Sequence, residues 1–251
     1  MLSRSSTTAI QLLKSYCIDD PNEIPLEDLI YAEGGIFEEK EMTGADGRII
    51  FGKEYASVSI NSKIQNKSKR RFVIAHEIGH LKLHRKLAKF FNCDEKSFME
   101  WHQKGSHETE ANEFAAELLM PSSLFKDISS RETFSVKHLL NVSKLFNTSV
   151  TSTAIRYAEI GKFPIALFYC QDSRIAWYRV NSHFLCKFPR VKEDVASNSV
   201  AFDFFKTGNV KEDPSLVLPK IWFKDIQLKS DQYFFEQCFP IPSLNAVISF
   251  V

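Results

Sequence analysis

The segment RFVIAHEIGHLKLH (71–84) constrains the fold of this chain more than any other stretch. It holds three of the seven histidines, and His76 and His80 flank Glu77 in the order His-Glu-x-x-His. Residues four apart lie on one face of an α-helix. The surrounding residues are mostly apolar, namely Phe72, Val73, Ala75, Ile78, Leu81 and Leu83. The pattern predicts a largely buried helix whose imidazoles and carboxylate need polar partners.

A metal ion would supply those partners, because His76 and His80 can present two imidazoles to one ion. Zinc binds imidazole nitrogen well, and a catalytic zinc site keeps one position open for water. Coordination lowers the pKa of that water towards about 7, and Glu77 can then take its proton. Gly79 costs about 1 kcal/mol of helix propensity, which indicates that a backbone or a substrate approaches closely there. Manganese is the alternative to zinc, since ligand type constrains the metal only weakly.

The third ligand is predicted on a second helix, 107–119. Its apolar stripe consists of Ala111, Phe114, Ala115, Leu118 and Leu119. At about 100° per residue, Glu108 lies roughly 50° from the centre of this stripe and is the glutamate of this helix best able to face inward. Asn112, one turn on, falls at the edge of the stripe, where its amide can orient a ligand. His107 is the competing ligand, but it points about 100° away from Glu108.

Together, RFVIAHEIGHLKLH and ETEANEFAAELLMP resemble the ImmA/IrrE family of metallopeptidases. The resemblance implies zinc ligands His76, His80 and Glu108, a base at Glu77 and a supporting residue at Asn112. It extends over residues 1 to about 160 and only loosely beyond, where longer members carry a GAF-like sensor domain. It also implies that the substrate is a helix-turn-helix repressor in stress, phage or mobile-element control. The alternative is a non-catalytic regulator that binds protein or DNA and has a structural or idle metal site.

The expected fold class is α+β, in three parts. Residues 1–125 form the zinc-peptidase domain with a small sheet, whose strands are expected within 47–61. Residues 126–162 form a helical segment with a helix-turn-helix look, and residues 163–251 form a β-rich, GAF-like sensor domain. Strands of this last domain are expected in PIALFYC, RIAWYRV, SLVLPKIWF, QYFFEQCF and NAVISFV.

Composition favours a cytoplasmic protein without membrane or specific DNA partners. The net charge is +1, which gives no overall attraction to nucleic acid. The start of the chain lacks the apolar core of a secretory signal, and apolar runs such as FPIALFYC are too short to span a bilayer. The five cysteines are scattered without a CxxC pair, which is typical of reduced thiols.

Several residues have two interpretations. His84 can extend the metal face or can be a partly exposed residue at the helix end, which is the simpler reading. The second helix of the helix-turn-helix segment offers Arg156 alone among DNA-reading side chains, which favours a packing role. A basic cluster preceding the motif reads as a solvated helix start, and consists of Lys63, Lys67, Lys69, Arg70 and Arg71.

Two further assignments stay open at the level of sequence. An oxyanion-stabilising donor is expected near the metal, and the candidates are Tyr55, His84, Arg156 and Tyr157. Aromatic residues of the last domain can line a small-ligand pocket, although core packing explains them more readily. They are Phe168, Tyr169, Trp177, Tyr178, Trp222 and Phe223.

Overall fold

The computed structural model describes residues 2–94, 106–224 and 232–251, which divide into two compact units. The first unit comprises Met1–Leu124 with Ser143–Ser149, and the second comprises Phe125–Val142 with Val150–Val251. The three-part division expected from the sequence stays a prediction.

The described residues form eight α-helices and two sheets, a mixed architecture compatible with the α+β class. The helices are α1 (Arg4–Ser15), α2 (Leu26–Ala32), α3 (Lys67–Leu83), α4 (Ser106–Leu119), α5 (Ser122–Ser129), α6 (Val136–Leu145), α7 (Val150–Ile160) and α8 (Val200–Thr207). The strands are β1 (Gly35–Lys40), β2 (Gly47–Phe51), β3 (Ala56–Asn61), β4 (Phe90–Cys93), β5 (Ala166–Gln171), β6 (Arg174–Val180), β7 (Ser215–Val217), β8 (Phe234–Ile241) and β9 (Ala246–Phe250). In this part of the chain, no helix is both long and apolar enough to cross a membrane.

Helix α3 is the central element of the first unit. It begins at Asn66, whose side-chain oxygen accepts a hydrogen bond from the Lys69 amide at 2.9 Å and so caps the helix. Every residue from Val73 to Leu81 is buried, because the helix packs against the sheet on one side and α4 on the other. Burial on all sides explains why apolar residues surround the His-Glu-x-x-His motif.

The sheet of the first unit has the strand order β1-β3-β2-β4. Strands β1 and β3 are parallel, whereas β2 is antiparallel to both of its neighbours, β3 and β4. Strand β4 lies at the edge, and its last residue, Cys93, is paired with Gly47 of β2. This register brings the end of β4 to the start of β2.

The second unit contains an antiparallel sheet in the order β6-β5-β9-β8-β7. Its core is aromatic: Phe168 stacks on Trp222 with ring centroids 4.5 Å apart and meets Phe223 edge-on at 5.6 Å. These three side chains and Tyr169 are fully buried. Four of the six aromatic residues that were considered for a ligand pocket therefore pack in the core.

The element predictions held where the local pattern was strong. The strands within 47–61 and the helix at 107–119 are present, within a residue or two, and α6 and α7 lie within the segment 126–162 that was expected to be helical. Strands β1 and β4 and helix α8 were not anticipated. The run SLVLPKIWF is strand only at Ser215–Val217, because Pro219 begins a 3-10 turn. The helix-turn-helix and GAF-like assignments stay predictions.

Candidate metal centre

The two histidines of the motif face each other inside the protein. His76 and His80 are fully buried, and their Nε2 atoms lie 3.0 Å apart because both side chains project from one face of α3. Burial lowers the pKa of His80 to about 3, so its ring is neutral at neutral pH. Neutral imidazole is the form that binds a metal.

Glu108, in the first turn of α4, completes a three-residue cluster. Its Oε2 lies 3.4 Å from His76 Nε2, and its Oε1 lies 3.5 Å from His80 Nε2. Burial alone would raise the pKa of this carboxyl, but the adjacent histidines outweigh that effect and lower the pKa of Glu108 well below its usual range. Tetrahedral zinc with nitrogen and oxygen ligands at 2.0–2.2 Å has ligand–ligand edges of about 3.3–3.5 Å. The two oxygen–nitrogen separations match that spacing.

The hydrogen bonds of the histidines test whether this cluster suits a metal. His76 Nδ1 lies 2.8 Å from Asn112 Oδ1, so Nδ1 donates to the amide oxygen and Nε2 faces the cluster. His84 Nε2 donates to the Glu110 carboxylate at 2.9 Å, which leaves His84 Nδ1 as an acceptor for His80 Nδ1, also at 2.9 Å. His80 Nε2 therefore carries a lone pair.

Two imidazole nitrogens and a carboxylate consequently converge within the protein. A cation between these groups would balance the Glu108 carboxylate and accept the lone pair of His80. A proton on His80 is disfavoured by its low pKa. The residues therefore fit a divalent metal, held by His76, His80 and Glu108.

The position of His84 corrects the simpler sequence interpretation. His84 was expected to be partly exposed, but its side chain is fully buried beneath α4. It connects the Glu110 carboxylate to the ring of His80, the arrangement that fixes the tautomer and orientation of a metal-binding histidine. Since both nitrogens of His84 are already used, a second metal site with His107 and Glu110 is not favoured. His107 lies beside Glu110 (3.9 Å) and not with the motif histidines.

Glu77 lies beside the cluster with its carboxylate fully buried. Within the described part of the chain, neither of its oxygens makes a hydrogen bond of standard geometry, although the thiol of Cys93 is close enough to lower its pKa weakly. Burial is the dominant effect and raises the pKa of Glu77 to about 7. A carboxyl group with this pKa can both accept and release a proton at neutral pH.

Two glycines make room for this site. A β-carbon at Gly47 would overlap the Glu77 carboxylate and would lie 2.9 Å from Val73, so β2 passes directly over the carboxylate. A β-carbon at Gly79 would lie 3.1 Å from the Cα of Ala111. The close approach predicted at Gly79 is therefore that of the α4 backbone, which brings Glu108 and Asn112 to the histidines.

Sequence reasoning missed Cys93. This residue is fully buried at the end of β4, and its Sγ lies 3.6 Å from His80 Nε2. One ligand atom from each of Cys93, His76, His80 and Glu108 falls within 4.8 Å of all the others. The only signal in the sequence was a cysteine a short distance after the motif, and the strand that carries it was not recognised.

The candidates for an oxyanion donor are dispersed. Tyr55 is exposed, and His84 is occupied by His80 and Glu110. Arg156 and Tyr157 belong to the second unit, where the Tyr157 hydroxyl donates to the Ser129 carbonyl at 3.1 Å. None of the four is singled out by the site, so the donor stays unassigned.

The buried cluster of two histidines and a glutamate, with a second glutamate beside it, is a candidate metal centre. Residues 38–157 match the peptidase family described as the IrrE N-terminal-like domain. The match includes α3 and α4 and confirms the resemblance seen in their sequences. The GAF-like assignment of 163–251 lies outside the matched residues.

The fold of the whole chain has a counterpart among solved structures. It is similar to a Mycobacterium tuberculosis transcriptional regulator with a TM-score of 0.62 and 11% sequence identity, over 99% of this chain and 76% of that one. At this identity the similarity concerns the fold alone. No curated protein matches the sequence.

Proposed function

We propose that this chain is a zinc-dependent metalloendopeptidase that hydrolyses peptide bonds in a protein substrate. The observation that carries the proposal is the convergence of two histidine nitrogens and the Glu108 carboxylate beside Glu77. A structural metal site needs no further carboxylate, and it is costly to bury one whose oxygens make no hydrogen bond of standard geometry within the described residues. Such a cost is expected where the group has a chemical task.

Each residue has a separate task in this proposal. His76, His80 and Glu108 would hold the metal, which when bound acidifies water and polarises the substrate carbonyl. Glu77 accepts the proton of the attacking water and passes it to the leaving amine, for which a pKa of about 7 is well matched. Asn112, together with His84 and Glu110, keeps the rings of the two histidines in the binding orientation. Manganese is the alternative ion.

The proposed substrate is a helix-turn-helix repressor in a stress, phage or mobile-element response, cleaved in the cytoplasm. Support comes from the family resemblance and from the regulator to which the fold is similar. We also propose that residues 163–251 receive the activating signal, such as a small ligand. A ligand would activate only by binding the active arrangement more tightly than the resting one.

Specific DNA binding is not part of this proposal, and the basic cluster supports its exclusion. Arg70 pairs with Glu27 at 2.9 Å and also with Glu39, and Lys69 pairs with Asp46 at 3.0 Å. Charges that are already neutralised by protein carboxylates contribute little to phosphate binding. We expect weak, strongly salt-dependent association with duplex DNA.

The second candidate function is a non-catalytic regulator with a closed metal site. One observation favours it: Cys93 provides a fourth donor near the other three, and four protein ligands without water are typical of structural zinc. The presence of Glu77 argues for the enzyme.

The deciding experiment uses Glu77→Gln in the full chain. The zinc-loaded wild type should cleave a helix-turn-helix repressor, whereas Glu77→Gln should retain its zinc and lose about 10²–10⁴-fold in rate. Glu113→Gln, a partly exposed change on α4, is the matched control and should behave as wild type. Equal rates for wild type and Glu77→Gln would disprove the assigned role of Glu77.

A further inference from the structure

Cys93 is the residue near the metal centre that the proposed reaction does not use. It is fully buried and belongs to the same cluster as His76, His80 and Glu108. Thiolate is among the strongest ligands for zinc. A cysteine in this position therefore bears directly on whether water can reach the ion.

Three of the distances agree with a shared tetrahedral ion, whereas the 3.0 Å between the Nε2 atoms of His76 and His80 is shorter than the expected edge of about 3.3 Å. With zinc–sulfur and zinc–nitrogen bonds of about 2.3 and 2.0–2.1 Å, a tetrahedral sulfur–nitrogen edge is about 3.6 Å. The separation between Cys93 Sγ and His80 Nε2 is 3.6 Å. The Glu108 oxygens lie 3.4 and 3.5 Å from the two histidine nitrogens. Sulfur therefore lies at the spacing expected of a fourth ligand.

The sheet fixes the thiol there by a specific pairing. Cys93 lies opposite Gly47 in the β2–β4 ladder, and its carbonyl accepts a hydrogen bond from the Asp46 amide at 2.8 Å. Two residues before Cys93 on the same strand, Phe91 stacks on the ring of His80 with centroids 4.2 Å apart. Strand β4 thus brings both Phe91 and Cys93 against His80, and Phe91 also meets His107 of α4 edge-on, with centroids 5.9 Å apart.

Strand β4 is held by fewer contacts than the inner strands of its sheet. It is four residues long, lies at the edge and pairs only with β2 within the described residues. Phe90 on this strand is largely exposed. Short edge elements with few buried contacts open at lower free energy than the core.

We propose that the Cys93 thiolate is the fourth protein ligand of the metal in the resting chain, and that peptidase activity requires its displacement by water. This inference rests on the proposed function. The thiol releases its proton on binding the ion and regains one when it leaves. The resting chain is then latent, and the nearby Glu77 carboxylate becomes productive only when water replaces sulfur.

Cobalt substitution of the full chain tests the ligand directly. A cobalt–thiolate bond gives a charge-transfer band in the near ultraviolet, which nitrogen and oxygen ligands do not. The band is expected in wild type and in Cys17→Ser, whose cysteine is exposed. It should vanish in Cys93→Ala and Cys93→Ser while one cobalt per chain stays bound. Absence of the band in cobalt-loaded wild type, or its persistence in Cys93→Ala, overturns the proposal.

Repressor cleavage by the same variants tests displacement. Cys93→Ala should cleave faster than wild type without any signal, because its fourth position is already open. Cys93→Ser has nearly the original side-chain volume and serves if the alanine variant fails to fold. Cleavage by Cys93→Ala at or below the wild-type rate overturns displacement. A chain with the charge-transfer band and no cleavage by any variant overturns displacement and the peptidase function together, and leaves a closed structural site.

Discussion

Glu77 in the first unit and Glu236 in the second are both fully buried glutamates, yet their surroundings differ. Glu236 accepts hydrogen bonds from the Val200 and Ala201 amides at 3.0 Å each and from the Ser249 hydroxyl at 2.9 Å. Glu77 makes no hydrogen bond of standard geometry within the described chain. The protein itself satisfies the carboxylate of Glu236, whereas under the proposed function an ion and water would satisfy the groups around Glu77.

The comparison separates a structural from a functional carboxylate. Glu236 belongs to β8, and its carboxylate meets the N-terminus of α8. Backbone amides there have no partner within the helix, and the helix dipole favours a negative charge. Burial raises the pKa of both carboxyls, but donors oppose this effect strongly only at Glu236. Burial alone therefore does not identify a catalytic carboxylate. Whether its oxygens accept hydrogen bonds from the protein is the more informative feature.

The largest expected effect is loss of the ion from the first unit. Glu108→Ala removes one of the four ligands proposed for the resting chain, so the purified variant should contain much less zinc than the wild type. Glu113→Ala, on the same helix, should retain a full equivalent. Metal content by mass spectrometry checks this, and a full equivalent in Glu108→Ala would mean that protein groups complete this site as they do at Glu236.

The second effect concerns pH in the metal-free chain. The pKa of Glu77 rises from 4.5 to about 7 on folding, so the folded state binds this proton more tightly. Its contribution to stability is complete below about 4.5 and is lost as pH rises through about 7. The loss amounts to about 3 kcal/mol.

Glu77→Gln should abolish that loss. Urea unfolding of chelator-treated protein between pH 4.5 and 8 measures it, with Glu113→Gln as the control. Parallel stability curves for wild type and Glu77→Gln would show that the Glu77 carboxyl is better solvated than its burial indicates.

The third effect is the difference in stability between the same substitution, Glu to Gln, at Glu236 and at Glu77. Glu236→Gln places an amide donor against the α8 amides and should lower the free energy of unfolding by about 2 kcal/mol. Glu77→Gln should maintain or raise it near neutral pH, because the substitution removes a buried charge that no backbone amide stabilises within the described residues. Thermal melts of the two variants in chelator provide the measurement. Equal destabilisation would remove the distinction between the two sites.

The smallest effect is on zinc affinity, and it comes from residues that support a metal ligand without being ligands themselves. Glu110→Gln weakens the support that His84 gives to His80, so zinc should bind about 10-fold more weakly. Competition with a chromophoric chelator measures the affinity. Glu113→Gln again serves as the control, and an unchanged affinity in Glu110→Gln would indicate that the His80 ring is held by packing against Phe91 alone.

The sequence by itself determined the features that depend on local spacing. Two histidines four apart must share a helix face, and the apolar stripe of α4 turned Glu108 and Asn112 inward. Those positions follow from helix geometry and are the ones that the structure brings together. The family of residues 38–157 was evident from the same two motifs.

Only the tertiary structure decided the remaining neighbours. Cys93 reaches His80 through the pairing of β4 with β2, and Gly47 clears space for Glu77 across the same ladder. His84 is buried because α4 covers it, and Glu236 meets α8 through residues about 35 positions away in the chain. Local periodicity carries no information about such partners, because strand register and helix packing are set by the fold as a whole.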